Sequence, residues 1–403
     1  MANEIIRKLR TLFMKTETTD GTLVSPAAGD AILCEGLDYQ GSVDMNGREY
    51  TGIPGAFAPV PGAKAAELKF VAELRPPGSS NTPEIDEVLT GCFGTVLAGD
   101  LDTTISGTGG GTGASGTPWD VTSGTNATVG EMAMLETATA DAYEVAGPIK
   151  VVDTGATPDD GTVALAAVNG AYATNGKKVK GMRTWHIKLP PPANNSLTAE
   201  IYKSAVGSSS DRYDRVAGCR GTVVVNAPGA GSIPKWAFHF KGWTVARAVN
   251  GTRPTPSYDS ANPKAAVNQI FRLDGTYTHG YDFVWDLGAE LGTKKSQYAS
   301  GGTFGQIHAK YRPKGSFKIH PAYTSVAHFT DWEAGTAHSL LYQIGNTLNG
   351  TWAFFVPRAV WTEVAEIDDE GLEALEIKWE AAEQNDASPT SATLDAAMYL
   401  GVG

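Results

Sequence analysis

Seven histidines, three cysteines and forty-four acidic residues are the groups through which this 403-residue chain could do acid–base, nucleophilic or metal chemistry. The histidines (His186, His239, His279, His308, His320, His328 and His338) are scattered. No HxxxH or HExxH pair puts two of them on one helix face, and no cysteine stands at ligand spacing, so no metal site is predicted. "GTGASG" fits GxGxxG through Gly111, Gly113 and Gly116. No strand precedes it, and Pro118-Trp119-Asp120 follows where a helix must hold a pyrophosphate, so it reads as linker. "IDDEGLE" (367–373) clusters Asp368, Asp369 and Glu370 without the ligand register of an EF-hand, and reads as a solvated turn before a strand. No GxSxG nucleophile elbow occurs. A glycosidase pair needs two acids a set distance apart across a cleft, and no acid stands out from the solvated ones. The expectation is no enzyme and no cofactor.

Charge narrows the partners. A formal net charge of −12 and a pI near 5.1 argue against a surface that grips phosphate backbones, which needs clustered Lys and Arg. Cys34, Cys92 and Cys219 are widely spaced and odd in number, as in a reducing cytoplasm, and read as buried thiols. No run is long enough to span a bilayer, and the opening "MANEIIRKLRTLFMKTETTDG" lacks a signal-peptide core, so a soluble product of the cytoplasm with no membrane partner is expected.

The elements that must position any site are short, because forty-seven glycines and twenty-two prolines interrupt the chain. Alternation is the regular signal. Leu68, Phe70, Ala72 and Leu74 fall on one face of residues 67–74 while Glu67, Lys69 and Glu73 fall on the other, as a half-buried strand requires. After Pro76-Pro77-Gly78, Thr82 is placed to cap a short helix with Pro83 at its first position, Glu84 and Asp86 in its first turn, and a stop at Gly91 or Gly94. Residues 197–203, 220–226 and 235–243 read as strands of one antiparallel system, with Trp236, Phe238 and Phe240 sharing a face.

The second half repeats this order. "GSFKIHPAY" (315–323) is a strand, "TDWEAGTAHSLLYQIG" (330–345) a capped helix ending in glycine, and 350–364 and 373–381 are strands. In the last, Leu375, Ile377 and Trp379 oppose Glu376, Lys378 and Glu380. "GLDYQGSVDM" (36–45) finds its counterpart in "RLDGTYTHGYDF" (272–283). Between 99 and 181 the composition shifts to a Gly/Thr/Ser stretch followed by four short strands, which fits a small β-barrel or sandwich inserted in a loop. The division predicted is a first fold from 1–98 with 182–252, an inserted module at 99–181, and a second fold at 253–403.

Four stretches together bring a family into view: "KTETTDGTLVSPAAGDAILCEGLDY", "AELKFVAELRPPGSSNTPEIDEVLTGCFG", "RGTVVVNAPGAGSIPKWAFHFKGW", and "RPKGSFKIH" with the closing "LEALEIKWEA". In this succession the chain resembles the major tail tube proteins of long-tailed bacteriophages. The resemblance implies a mainly β chain: a duplicated tail-tube β-sandwich or half-barrel with short flanking helices, plus an inserted small β module. It also implies a structural virion protein, made in the host cytoplasm and located in the virion tail. Its main partner would be itself, in rings that stack into the conduit for viral DNA ejection. Two copies of the fold per chain imply a trimeric ring with pseudo-sixfold symmetry, or a hexamer if the second half is not a tube fold. Tape measure, terminator and distal tail proteins would be further partners, and double-stranded DNA would pass without specific binding. The charged residues Glu67, Lys69, Glu73, Glu376, Lys378 and Glu380 become candidates for the lumen or the solvent side. The N-terminal arm (1–30) and the Gly/Pro-rich loop at 45–64, with Arg48, Glu49, Tyr50 and Phe57, become candidates for contacts between stacked rings. The alternative is a receptor- or carbohydrate-binding virion β-sandwich, and behind it a carboxylate-dependent hydrolase.

Overall fold

The computed structural model describes residues 5–48, 57–78, 82–104, 119–121, 128, 130–137, 142–153, 161–165, 177–187, 196–205, 211–229, 231–267, 269–295, 303–321, 326–382 and 396–403. The protein is mainly β, and among the described residues two short α-helices lie beside a large antiparallel sheet system. The first part contains β1 (Ile5–Thr16), β2 (Ala31–Ile32), β3 (Glu35–Arg48), β4 (Phe57–Glu73), helix α1 (Asp86–Phe93) and β5 (Gly94–Leu97). Next come β6 (Asp102–Thr104), β7 (Trp119–Val121), β8 (Met132–Glu136), β9 (Tyr143–Asp153), β10 (Gly161–Leu165) and β11 (Lys178–Ile187). They are followed by β12 (Leu197–Ala205), β13 (Asp211–Ala227) and β14 (Lys235–Gly251). The last part holds β15 (Ile270–Leu273), β16 (Thr276–Tyr277), β17 (Gly280–Asp286), β18 (Ala289–Lys295), β19 (Thr303–Tyr311) and β20 (Lys314–Ile319). After these lie helix α2 (Ala327–Ala334), β21 (Ala337–Ile344), β22 (Trp352–Asp369), β23 (Leu372–Ala381) and β24 (Tyr399–Val402).

Strand pairing follows one order twice. In the first part it runs β1-β12-β13-β14-β4-β3, and in the last part β15-β21-β22-β23-β20-β17, all antiparallel. Each set carries its helix at the same point, α1 between β4 and β12 and α2 between β20 and β21, and each helix ends on a left-handed glycine, Gly94 and Gly335. The two sets join where β17 pairs with the end of β13, Phe283–Asp286 against Val224–Ala227. The counterpart of β3 is therefore 280–295, not 272–283, because Arg272 and Leu273 turn back on Thr276 and Tyr277 as a hairpin of their own.

Alternation placed the core as expected. Leu68, Phe70, Ala72 and Leu74, Trp236, Phe238 and Phe240, and Leu375, Ile377 and Trp379 are all buried. Their rings form a continuous aromatic line through both sets: Phe70–Phe238 at 5.0 Å, Trp236–Trp352 at 5.2 Å, Trp236–Phe354 at 5.7 Å, Trp285–Phe354 at 5.5 Å and Trp285–Trp379 at 5.0 Å. Offset and edge-on pairs of this kind add about 0.5–1.5 kcal/mol each beyond the area they bury.

Both helices depart from expectation at their ends. α1 begins at Asp86, one turn later than Thr82-Pro83 suggested, because the Asp86 N–H bonds the Pro83 carbonyl as a separate turn. Gly91 lies inside it and is needed there: a Cβ would sit 2.5 Å from Leu197 Cδ1. α2 occupies only Ala327–Ala334, and "AHSLLYQI" is strand β21. A short apolar run with neither period well developed suits either element, and burial of Leu340, Leu341, Tyr342 and Ile344 between two strand partners decides it. The N-terminal arm is also sheet: β1 pairs with β12 and buries Leu12, Phe13 and Met14. The 45–64 stretch is less of a loop than expected, since β3 runs to Arg48 and β4 starts at Phe57.

The strands of the middle segment pair among themselves, β8 with β9 and β11, and β10 with β7 and β9. β11 then crosses into the main system through β5 and β24. Met132, Met134, Tyr143, Val145 and Met182 share a core with Leu341, Phe355 and Tyr399. "GTGASG" lies outside the described residues.

Candidate functional site: a charged face shared by both strand sets

Residues opposite each other in antiparallel strands share a face, so the pairing registers can be followed across the sheet. One row runs Glu73, Lys235, Asn226, Val284, Ser316, Lys378, Glu363, and the next runs Val71, Ala237, Val224, Asp286, Lys314, Glu380. The face opposite the aromatic core is thus continuous through the β13–β17 joint. All six charged residues singled out by alternation lie on it: Glu67, Lys69 and Glu73 at one end, Glu376, Lys378 and Glu380 at the other. Sequence reasoning missed the rest of the face, His239, Lys235, Lys241, Asp286, Lys314 and Lys318. Those on β14 were legible, since Lys235, His239 and Lys241 alternate with Trp236, Phe238 and Phe240; those on β17 and β20 depend on the joint.

The face is laced with ion pairs. Lys69 lies 3.4 Å from Glu67, which also accepts a hydrogen bond from the His239 imidazole. Burial alone would raise the Glu67 carboxyl; the His239 and Lys69 contacts outweigh it and hold the group below its ordinary value. Arg75 binds Glu73 at 2.8 Å, and Lys235 binds Glu35 at 2.8 Å. At the other end Lys318 meets Asp282 at 2.8 Å, Lys378 meets Glu363 at 2.9 Å, Arg312 meets Glu380 at 3.5 Å and Lys314 meets Asp286 at 3.9 Å. The hydrogen bonds that Lys235, Lys318 and Lys378 donate to Glu35, Asp282 and Glu363 raise these three lysines above their ordinary value. Exposed pairs of this kind contribute little to stability. Their effect is on the potential: each of these cations sits beside a carboxylate, so the face carries no block of bare positive charge.

Other polar constellations are held by hydrogen bonds and ion pairs within the protein. His338 Nδ1 lies 2.7 Å from Asp274 and Nε2 3.4 Å from Asp331, with the ring stacked on Trp361 at 4.6 Å. The neighbouring Ser339 gives its N–H to Asp274 at 2.7 Å, and its hydroxyl also reaches Asp274. Glu17 is a buried carboxylate that accepts hydrogen bonds from Ser196 Oγ (2.5 Å), Thr198 Oγ1 (3.0 Å), and the N–H groups of Gly218 (2.9 Å) and Gly21 (2.6 Å), and it ties β12 to β13. Of the "IDDEGLE" acids, Asp368 and Asp369 end β22 and Glu370 with Gly371 makes the two-residue turn into β23, both at positive φ, with the Gly371 N–H on Asp368. Among the described residues no group of three or more His, Cys, Asp or Glu could hold a metal ion. Cys92 and Cys219 are buried, whereas Cys34 is half-buried; burial, with Glu84 nearby, pushes its thiol up to about 12. Among the described residues no helix is long and apolar enough to cross a membrane.

Of the expected ring-contact residues, Arg48 and Phe57 pair across the end of the β3–β4 hairpin, and Glu49 and Tyr50 lie outside the described residues. No protein-family model matches this chain, and no curated protein matches it.

Proposed function

We propose that this chain is a self-assembling structural subunit whose copies close into rings and stack into a tube, serving as the major tail tube protein of a long-tailed bacteriophage and conducting viral DNA out of the virion. One observation carries the reading: the same six-strand order with the same helix placement occurs twice in the chain, and the two sets are already joined through β17, the outer strand of the second, and the end of β13. A joint between like units can be repeated between copies, and three chains would then supply six units to one closed sheet with no exposed edges. The ion-paired face supports the same reading. Turned toward a lumen, it would present phosphates with compensated charge, so DNA would pass without being held.

Negative-stain electron microscopy of the purified protein across a concentration series tests this. Hollow rings or tubes with a central channel and threefold symmetry are the expected result. Compact particles without a channel at every concentration would overturn the proposal.

A further inference from the structure

Strands β17–β18 and β19–β20 form one long hairpin with a continuous register, Asp286 opposite Lys314 and Ala289 opposite Tyr311, bent at Gly288. Its base pairs with β13, and beyond the bend it folds back over the first strand set. Leu287 N donates to Val223 O at 3.0 Å, Ala289 N to Thr222 Oγ1 at 3.2 Å, and Tyr311 Oη to the carbonyls of Cys92 (3.2 Å) and Phe93 (3.3 Å). His308 Nε2 lies 2.9 Å from Gly221 O. α1, beneath, buries Val88, Leu89, Cys92 and Phe93.

The counterpart hairpin, β3–β4, has the same place in its own set: Phe70 faces Phe238 on β14 as Phe317 faces Ile377 on β23. Among the described residues it makes no such cover over the second set. Its outer part, 41–47 and 58–61, is exposed, with Val43 45 %, Met45 58 % and Val60 44 % accessible. α2, the counterpart of α1, buries no residue and leaves Val326 68 % and Trp332 40 % exposed. On β22, Ala365–Asp368 pairs with β23 and with no second strand among the described residues. A contact that the chain completes once internally is therefore present a second time as two separated, apolar halves.

We infer that the β3–β4 hairpin of one copy docks on the second strand set of a neighbouring copy. β3 runs along β22 at Ala365–Asp368 and the outer part of the two strands, toward Lys64, covers α2. The inference rests on the self-assembly reading above, and it places the 45–48 and 57–64 segments between neighbours in a ring instead of between stacked rings. Carrying the internal contacts across by strand position puts Lys64, the counterpart of Tyr311, beside Glu333, the counterpart of Cys92. A lysine there meets both a carboxylate and the negative end of α2. Thr362 O, the counterpart of Gly221 O, accepts the Trp332 indole N–H at 3.2 Å, which holds α2 on β22 and leaves the exposed part of that ring for the incoming hairpin strands. The contact is head-to-tail, so it closes as a ring or continues as a filament.

Lys64→Cys and Glu333→Cys, made in separate chains, mixed before assembly and oxidised, test the contact. A disulfide-linked dimer is expected only in the mixture, with each single variant alone as control. Lys64→Glu and Glu333→Lys should each raise the concentration for half-assembly by about tenfold, and the double variant should return it to within about threefold of the original. Both positions are at the surface, and unchanged thermal melting of each variant checks its folding. If the parent protein assembles but the mixture gives no cross-link and Lys64→Glu assembles normally, the docking inference is overturned while self-assembly stands. If the parent stays monomeric at every concentration, the self-assembly reading falls and this inference with it.

Discussion

Glu131 has a buried carboxyl whose oxygens face the N–H groups of Leu101 (3.4 Å) and Thr128 (3.3 Å), at the neck where the chain enters the middle segment. Gly181 leaves room for it, since a Cβ there would overlap Glu131 Oε1. Burial, with Asp100 nearby, pushes its carboxyl from 4.5 up to about 7. The folded state thus binds a proton that the unfolded state releases between these values, so its contribution is fully present below 4.5 and is lost as pH rises through 7. The wild type should lose at most about 3 kcal/mol from this source between pH 4.5 and 8, and Glu131→Gln should flatten that slope in melting curves recorded across the range. His308 acts in the opposite direction. Burial lowers it from 6.5 to about 4, so its contribution is present above 6.5 and is lost as pH falls toward 4. In the core, Phe283 stacks on Tyr342 at 4.0 Å and packs at a tilt against Phe271 at 4.8 Å beside the β13–β17 joint. Phe283→Ala should cost about 3–5 kcal/mol in denaturant unfolding, from lost burial and the cavity left behind.

At the scale of elements, the bend in the β17–β20 hairpin decides what covers α1. Gly288 has a φ of +59°, and a Cβ would lie 2.0 Å from Arg312 O, a backbone atom that cannot move without breaking the ladder. Gly288→Ala should therefore destabilise by roughly 2 kcal/mol or more. Hydrogen exchange should show the loss first in β18 and β19, with the Tyr311 contact to α1 released; equal protection in variant and parent would contradict this. Much of the element layer was readable. Strands β4, β14 and β23 follow from strict alternation, and the stop of α1 at Gly94 from glycine's freedom at positive φ. The split between α2 and β21 was not readable, because "AHSLLYQI" takes its strand state from neighbours far away in sequence. The ends of β13 and β14 extend well past their alternating centres, since long partners lend hydrogen bonds to segments with no pattern of their own.

At the scale of the whole molecule, the chain holds two like sets of strands joined once, through β17 and β13, and the proposal is that the corresponding joint is made between copies. A central channel in electron micrographs and the Lys64–Glu333 charge exchange would test successive parts of that proposal. The candidate face was half legible: Glu67, Lys69 and Glu73 and Glu376, Lys378 and Glu380 were marked by alternation, but nothing in either strand shows that the two groups share a surface. That is a property of the β13–β17 pairing, made between residues about sixty apart.

By itself the sequence determined the period of each strand, which side chains turn inward, where glycine and proline end an element, and the order of elements that repeats. These are local matters, set by backbone sterics and by side-chain spacing along a few residues. The tertiary structure alone decided which edges meet, that one hairpin bends over α1 while its counterpart leaves α2 uncovered, and that the charged faces join. Pairing between distant strands depends on hydrogen bonds and burial that no short stretch of sequence encodes.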